Sequence, residues 1–190
     1  MPSHVALLRG INLAGHKKVA MADLRAVVAG LGHADVATYI QSGNVLFSTA
    51  EQDSAALARA LEEAIATQLG VRSRVLVLSR AELAEVAAAN PYQAEPDPRR
   101  VHVVFLPADP PPEMTARLAG LLDAVAAKGS RDTARYLGRA LYLHTPDGFG
   151  RSELAALLAR SGGPMSARDA GTARNWATVT KLLELCDRPG

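Results

Sequence analysis

Residues able to hold or move charge crowd the start of this chain. Arg9, Asn12, His16, Lys17 and Lys18 share one short stretch, interrupted by Gly10 and Gly15, with no carboxylate among them. A guanidinium fork, two ammonium groups and an amide suit an anion. Ser42 and Asn44, on either side of Gly43, form a second donor pair, and Arg174 stands in the dense motif Thr172-Ala-Arg-Asn-Trp176. Each has a plainer alternative. Arg9 either grips an anion or ties down a sheet edge by bonding carbonyls. Asn12 and Asn44 either donate to a ligand or serve their own turns, as asparagine commonly does. Lys17 and Lys18 are either ligands or a solvated loop. In the Thr172–Trp176 motif Trp176 reads as a core anchor and Asn175 as a cap, which leaves Arg174 to reach a ligand or the neighbouring unit.

Other chemistries find less support. Gly10-x-x-x-x-Gly15 resembles a phosphate loop, but His16 occupies the lysine position and no Ser or Thr follows to hold magnesium, so that reading is rejected. The five histidines lie far apart and none is close to Cys186, so no metal site is expected. There is no Gly-x-Ser-x-Gly elbow. Cys186, on an apolar helix face, is expected to be inert. His144 with Asp147, three residues apart beside the Gly148–Arg151 loop, offers an acid–base pair on weak spacing support.

Composition narrows the classes further. The 190 residues are 48% hydrophobic and only 4% aromatic, so Leu, Val and Ala must fill the core. A formal net charge of +2 is too small to imply a polyanion partner, and no nucleic-acid binding is expected. One cysteine cannot form an intrachain disulfide, which fits a reducing, cytoplasmic setting. No apolar run approaches the roughly 20 residues of a membrane helix, and no signal peptide or cofactor motif is apparent.

Hydrophobic periodicity then supplies the elements that must position these groups. Val5–Leu8 reads as a buried strand. Met21–Leu31 has helical spacing, and Gly32 follows it. Val36–Gln41 and Asn44–Ser48 read as strands joined by a Ser42-Gly43 turn. A helix over 52–69 opens on a Thr49-to-Gln52 capping box and stops at Gly70. Arg72–Leu78 alternates as a strand, and a second box, Ser79 to Glu82, starts a helix that ends at Asn90-Pro91. Tyr92–Arg100 reads as a linker. Beyond it come a strand (Val101–Leu106), a helix to about Ala126, a hairpin (Arg135–Leu137 and Ala140–His144) turning at Gly138-Arg139, and a helix from Ser152 towards Gly162. Gly163–Ala173 is the place left for a last strand. A helix from Trp176 to Cys186, capped by Asn175, ends the pattern.

This order gives an α+β fold of two ferredoxin-like (βαββαβ-type) units in tandem with a C-terminal helix. The expected domains are residues 1–90 and 91–190. In such a unit the end of strand one, the start of helix one and the tip of the following hairpin share one sheet edge. That edge would gather Arg9, Asn12, Lys17, Lys18, Ser42 and Asn44.

Three stretches carry a resemblance: Ala6-Leu-Leu-Arg-Gly-Ile-Asn12, Tyr39-Ile-Gln-Ser-Gly-Asn-Val45 and Thr172-Ala-Arg-Asn-Trp176, supported by Ala89-Asn-Pro-Tyr92 and Asp147–Ser152. In that order they resemble the bacterial domain-of-unknown-function family 1697. Ala14, where a second glycine is usual, and a longer Ser161–Gly171 loop depart from its pattern. The resemblance implies a tandem of ferredoxin-like units and brings no reaction, cofactor or catalytic residue with it. Four functions therefore stay open: binding of a small anionic or phosphorylated ligand at that edge; an enzyme stabilising charge with Arg9, Asn44 and Arg174 and a base at His144 or His16; nucleic-acid binding, for which Phe47 is nearly the whole aromatic platform; and a structural or partner-binding scaffold. The first is favoured. Oligomeric state is not legible.

Overall fold

The computed structural model describes residues 1–12, 18–160, 163–165 and 171–188. The chain divides into two compact units: Met1–Glu85 with Lys181–Gly190, and Val86–Thr180. Each carries a four-stranded antiparallel sheet.

The first unit runs β1 (His4–Leu8), α1 (Met21–Gly30), β2 (Ala34–Tyr39), β3 (Asn44–Ser48), α2 (Ser54–Leu69) and β4 (Val75–Ser79), and α3 (Arg80–Ala88) follows. Its strands lie in the order β2-β3-β1-β4, so β1 is central and antiparallel to both neighbours. All five residues of β1 are buried. Ala6 and Leu8 pack with Val45, Phe47, Val75 and Val77 against α1 (Leu24, Val27, Val28) and α2 (Leu57, Leu61, Ile65). On the opposite face Val5, Leu7 and Leu46 are also fully buried. Each such aliphatic side chain contributes about 1.5–3 kcal/mol relative to exposure. Buried on both faces and hydrogen-bonded to a strand on each side, this short run organises the unit.

The second unit repeats the succession: β5 (Val101–Phe105), α4 (Pro112–Ala126), β6 (Thr133–Leu137), β7 (Ala140–His144), a short 3-10 turn (Phe149–Arg151), α5 (Glu153–Leu158) and β8 (Thr172–Asn175). Its order, β6-β7-β5-β8, corresponds strand for strand to the first. Val104, Leu141 and Leu143 meet Leu118, Val125, Leu154 and Leu158 from the helices. The last helix, α6 (Trp176–Cys186), begins in the second unit and ends in the first.

Local chemistry explains most element ends. Ser79 and Glu82 form a reciprocal box at the head of α3, with Ser79 N donating to Glu82 Oε2 (2.8 Å) and Glu82 N to Ser79 Oγ (3.1 Å). Ser152 Oγ accepts from Ala155 N (2.9 Å) at α5, and Asn175 Oδ1 from Thr178 N (2.8 Å) at α6. Gly70 ends α2 in the left-handed conformation, φ 67°.

Several expectations are corrected. The cap of α2 is Asp53, which accepts from Ala55 N and Ala56 N, and the Thr49 box does not form. The first hairpin has a four-residue loop, 40–43, because Tyr39 pairs with Asn44. Helix α5 stops at Leu158, short of Gly162, and the last strand, Thr172–Asn175, begins at the end of the 163–173 segment assigned to it and runs two residues beyond. The Thr172-Ala-Arg-Asn stretch is thus strand β8, the edge neighbour of β5.

Candidate functional site

The first unit brings three chain segments together at the end of β1. Leu8 N donates to Gly43 O at 2.8 Å, seating the hairpin tip on the strand. Gly43 has φ 75°, and a Cβ there would stand 2.8 Å from both Ile11 Cδ1 and Leu8 Cβ, so only glycine fits. Asn12 completes the junction. Its Nδ2 donates to Val19 O and to Gln41 O, both at 2.9 Å, and its Oδ1 accepts from Val19 N at 2.8 Å. One side chain therefore closes the loop that starts after β1 and clamps it to the hairpin.

The convergence of the β1 end, the α1 start and the hairpin tip is present, but the amides are turned inward. Both Nδ2 hydrogens of Asn12 are used by backbone carbonyls. Asn44 is fully buried, and its Nδ2 donates to Tyr39 O (3.0 Å) and Ser42 Oγ (2.9 Å). Asn12 and Asn44 brace turns, and Ser42 serves the same network. Arg9 donates its backbone N–H to Arg74 O at 2.9 Å. Ser73 Oγ accepts from Arg9 N and donates to Arg9 O at 2.7 Å, locking the exit of β1 to the approach of β4. The Arg9 side chain is half-buried, with Nη1 inside. Lys18 is exposed. Lys17, His16 and Gly15 lie outside the described residues.

What remains open is a cleft of about 460 Å³ bordered by Asn12, Lys18, Val19, Ala20 and Gln41. Ala20 is the N-cap of α1 and supplies no side-chain cap, so the first amides of α1 are not closed off by a side chain. Among the described residues no carboxylate lines the cleft, although Asp23 sits in the first turn of α1. Backbone strain gathers there too. Of the three non-glycine residues with positive φ among the described residues, Asn12 (54°) lines the cleft and Ile40 (49°) precedes Gln41. A β-branched residue in that region is an outlier, and Ile40 is also 50% exposed.

Arg174 lies in the second unit, on β8 opposite Val103. It is buried, with Nη1 donating to Thr172 Oγ1 (2.9 Å) and Ala173 O (2.8 Å), and desolvation lowers its pKa to about 10. His144 is not paired with Asp147. Asp147 is bonded to Arg131, and His144 Nε2 lies 2.6 Å from Glu95 Oε2. The Glu95 carboxyl is held below its ordinary range, first by the Asp97 amide and then by His144. Tyr92 stacks on the His144 ring at 5.2 Å. The segment read as a linker is therefore a string of turns fastened to β7. Burial raises the Cys186 thiol to about 11, and Phe47 is fully buried between His4 and His33. No helix among the described residues is long and apolar enough to cross a membrane.

A family model described as "Protein of unknown function (DUF1697)" matches residues 1–142. In solved structures the chain is similar to the conserved bacterial protein SP0830 from Streptococcus pneumoniae, at 21% identity and a TM-score of 0.70, over 97% of this chain and 98% of that one. That likeness is one of fold. No curated protein matches this chain in sequence.

Proposed function

We propose that this chain, which belongs to the DUF1697 family, binds a small anionic or phosphorylated molecule in the cleft at the head of α1. The carrying observation is the helix N-terminus without a side-chain cap, opening on a cleft that Lys18 borders and no described carboxylate lines. Amides at such an end point at the ligand, and the helix dipole favours negative charge. Strain at Ile40, next to Gln41, supports the same place, since residues held in sparsely populated backbone regions cluster at ligand clamps. Asn12, Asn44 and Ser42 act in this reading as the frame that holds the cleft, and Lys18 with the α1 amides as the contact. The matching strand orders support reading the two units as a tandem ferredoxin-like pair. A buried Phe47 and the small net charge support a role without nucleic acid. The single cysteine supports a cytoplasmic setting.

The test is thermal shift of the wild type and Lys18→Glu against phosphate, pyrophosphate, nucleotides and dicarboxylates. At least one anion should raise the wild-type melting temperature. Reversing the charge at an exposed site should weaken that anion about tenfold, the effect of about 1.4 kcal/mol. If no anion in the panel stabilises the wild type, the reading fails and a scaffold role takes its place.

A further inference from the structure

A second open place lies along the edge of the other sheet. Strand β6 ends the order β6-β7-β5-β8, and all five of its residues pair with β7 in unbroken register. Their hairpin turns on Gly138-Arg139, with Gly138 at φ 52°. A two-residue loop makes Leu137–Ala140 a hydrogen-bonded pair, so Thr133 and Arg135 also bond inward to β7. The main-chain N–H and C=O of Ala134 therefore face the open side.

A groove of about 500 Å³ follows that side, within the size range of ligand sites. Residues 132–135 run along it, with α4 on one face (Leu122, Asp123, Ala126) and Tyr92 on the other. Tyr92 is fixed there by its stack on His144 and a side-chain hydrogen bond with Thr133. Asp132 is already engaged, its Oδ2 accepting from Ser152 Oγ at 2.8 Å. Asp123 and Arg135 are exposed, one on each face. The corresponding edge of the first unit is blunted, since β2 slips register between Ala34 and Ala37 and Asp35 has φ 51°.

We propose that the β6 edge receives an extended peptide segment of a partner protein, added to the sheet as a fifth strand. Such a strand sends alternate side chains to the two faces. Charge complementarity then specifies the partner: a basic side chain beside Asp123, an acidic one beside Arg135, and small apolar ones over Leu122 and Ala126. The groove is walled on both faces, which suits one extended chain and not a second copy bearing the same walls.

The probe is a labelled peptide of about eight residues, alternating Lys and Val with Glu and Thr, read by fluorescence anisotropy against the whole chain. Saturable binding should weaken about tenfold in Asp123→Arg. It should weaken likewise in Ala134→Pro, which an open edge tolerates because the lost N–H faces outward. N-methylation of alternate probe residues should abolish binding, which tests the main-chain bonds even if Ala134→Pro fails to fold. No saturable binding up to ~1 mM, or binding indifferent to N-methylation, overturns the proposal. Wild-type dimerisation that Ala134→Pro abolishes, with no probe binding, overturns it in favour of a second copy.

Discussion

Replacing Asn12 by alanine tests the inward-turned junction most directly. The substitution removes three hydrogen bonds, to Val19 O, Gln41 O and from Val19 N, and leaves a non-glycine, non-asparagine residue at φ 54°. A net hydrogen bond contributes about 0.5–1.5 kcal/mol, and the Gln41 bond, being exposed, sits at the low end. A left-handed alanine adds roughly 1 kcal/mol. The expected loss is about 2.5–4.5 kcal/mol, felt in the first unit. The only tryptophan, Trp176, belongs to the other unit, so its fluorescence is the wrong probe. Native-state hydrogen exchange of the Val5–Leu8 amides is the right one, because central-strand amides report opening of the whole unit. Exchange in Asn12→Ala should be faster by roughly sixtyfold to two-thousandfold. Asn12→Gly, which loses the bonds but suits the backbone, should recover about 1 kcal/mol of the loss. If Asn12→Ala exchanges within about twofold of wild type (under ~0.5 kcal/mol), the side chain is no brace and its amide is available to a ligand. Equal losses in both variants would remove the conformational part of the argument.

Three further outcomes are expected. Gly43→Ala should cost about 2–4 kcal/mol, from a left-handed alanine and a Cβ forced against Leu8 and Ile11, and a melting temperature unchanged from wild type would refute it. His102 stacks on Phe149 at 4.0 Å, and desolvation lowers its pKa to about 4. The unfolded histidine titrates near 6.5, so the unfolded state binds the extra proton between those values. Stability from this group is present above about 6.5 and lost as pH falls towards 4. His102→Phe should flatten part of that slope in urea melts, His4 and His33 contributing the same sign, and an unaltered slope would contradict the burial argument. Cys186, buried with its thiol raised to about 11, should resist alkylation in the folded chain and react once α6 opens, so labelling at the rate of a free thiol would count against its placement.

Elements with strong local chemistry were legible from the residues alone. The Ser79–Glu82 box, Gly70 and the Asn175 cap each set a helix end that sequence reasoning can find, because the interaction spans three residues or fewer. The α2 cap was missed where two candidates compete. Asp53 accepts two amides with one carboxylate oxygen, and the Thr49 hydroxyl does not match that. The hairpin loop was misjudged because Ser42-Gly43 looks like a complete turn, whereas the chain reverses through Ile40, a residue with poor left-handed propensity. At the candidate site, topology alone foresaw which segments meet. It could not foresee which way the amides of Asn12 and Asn44 face, since that depends on carbonyls at Gln41 and Tyr39 left bare by the longer loop. Glu95 and His144 are separated by 49 residues, and no local pattern links them.

The first unit takes in residues from beyond the second. Its allocation includes Lys181–Gly190, where Leu182 and Cys186 are buried and Asp187 Oδ1 meets Arg80 Nε at 2.6 Å. During synthesis the first 85 residues therefore precede the rest of their own unit by the whole length of the second. A nascent chain in that interval lacks the Arg80–Asp187 ion pair and the segment that carries the buried Leu182 and Cys186. A stop codon or a nick after Thr180 would reproduce that state permanently, injuring the unit farthest away along the chain.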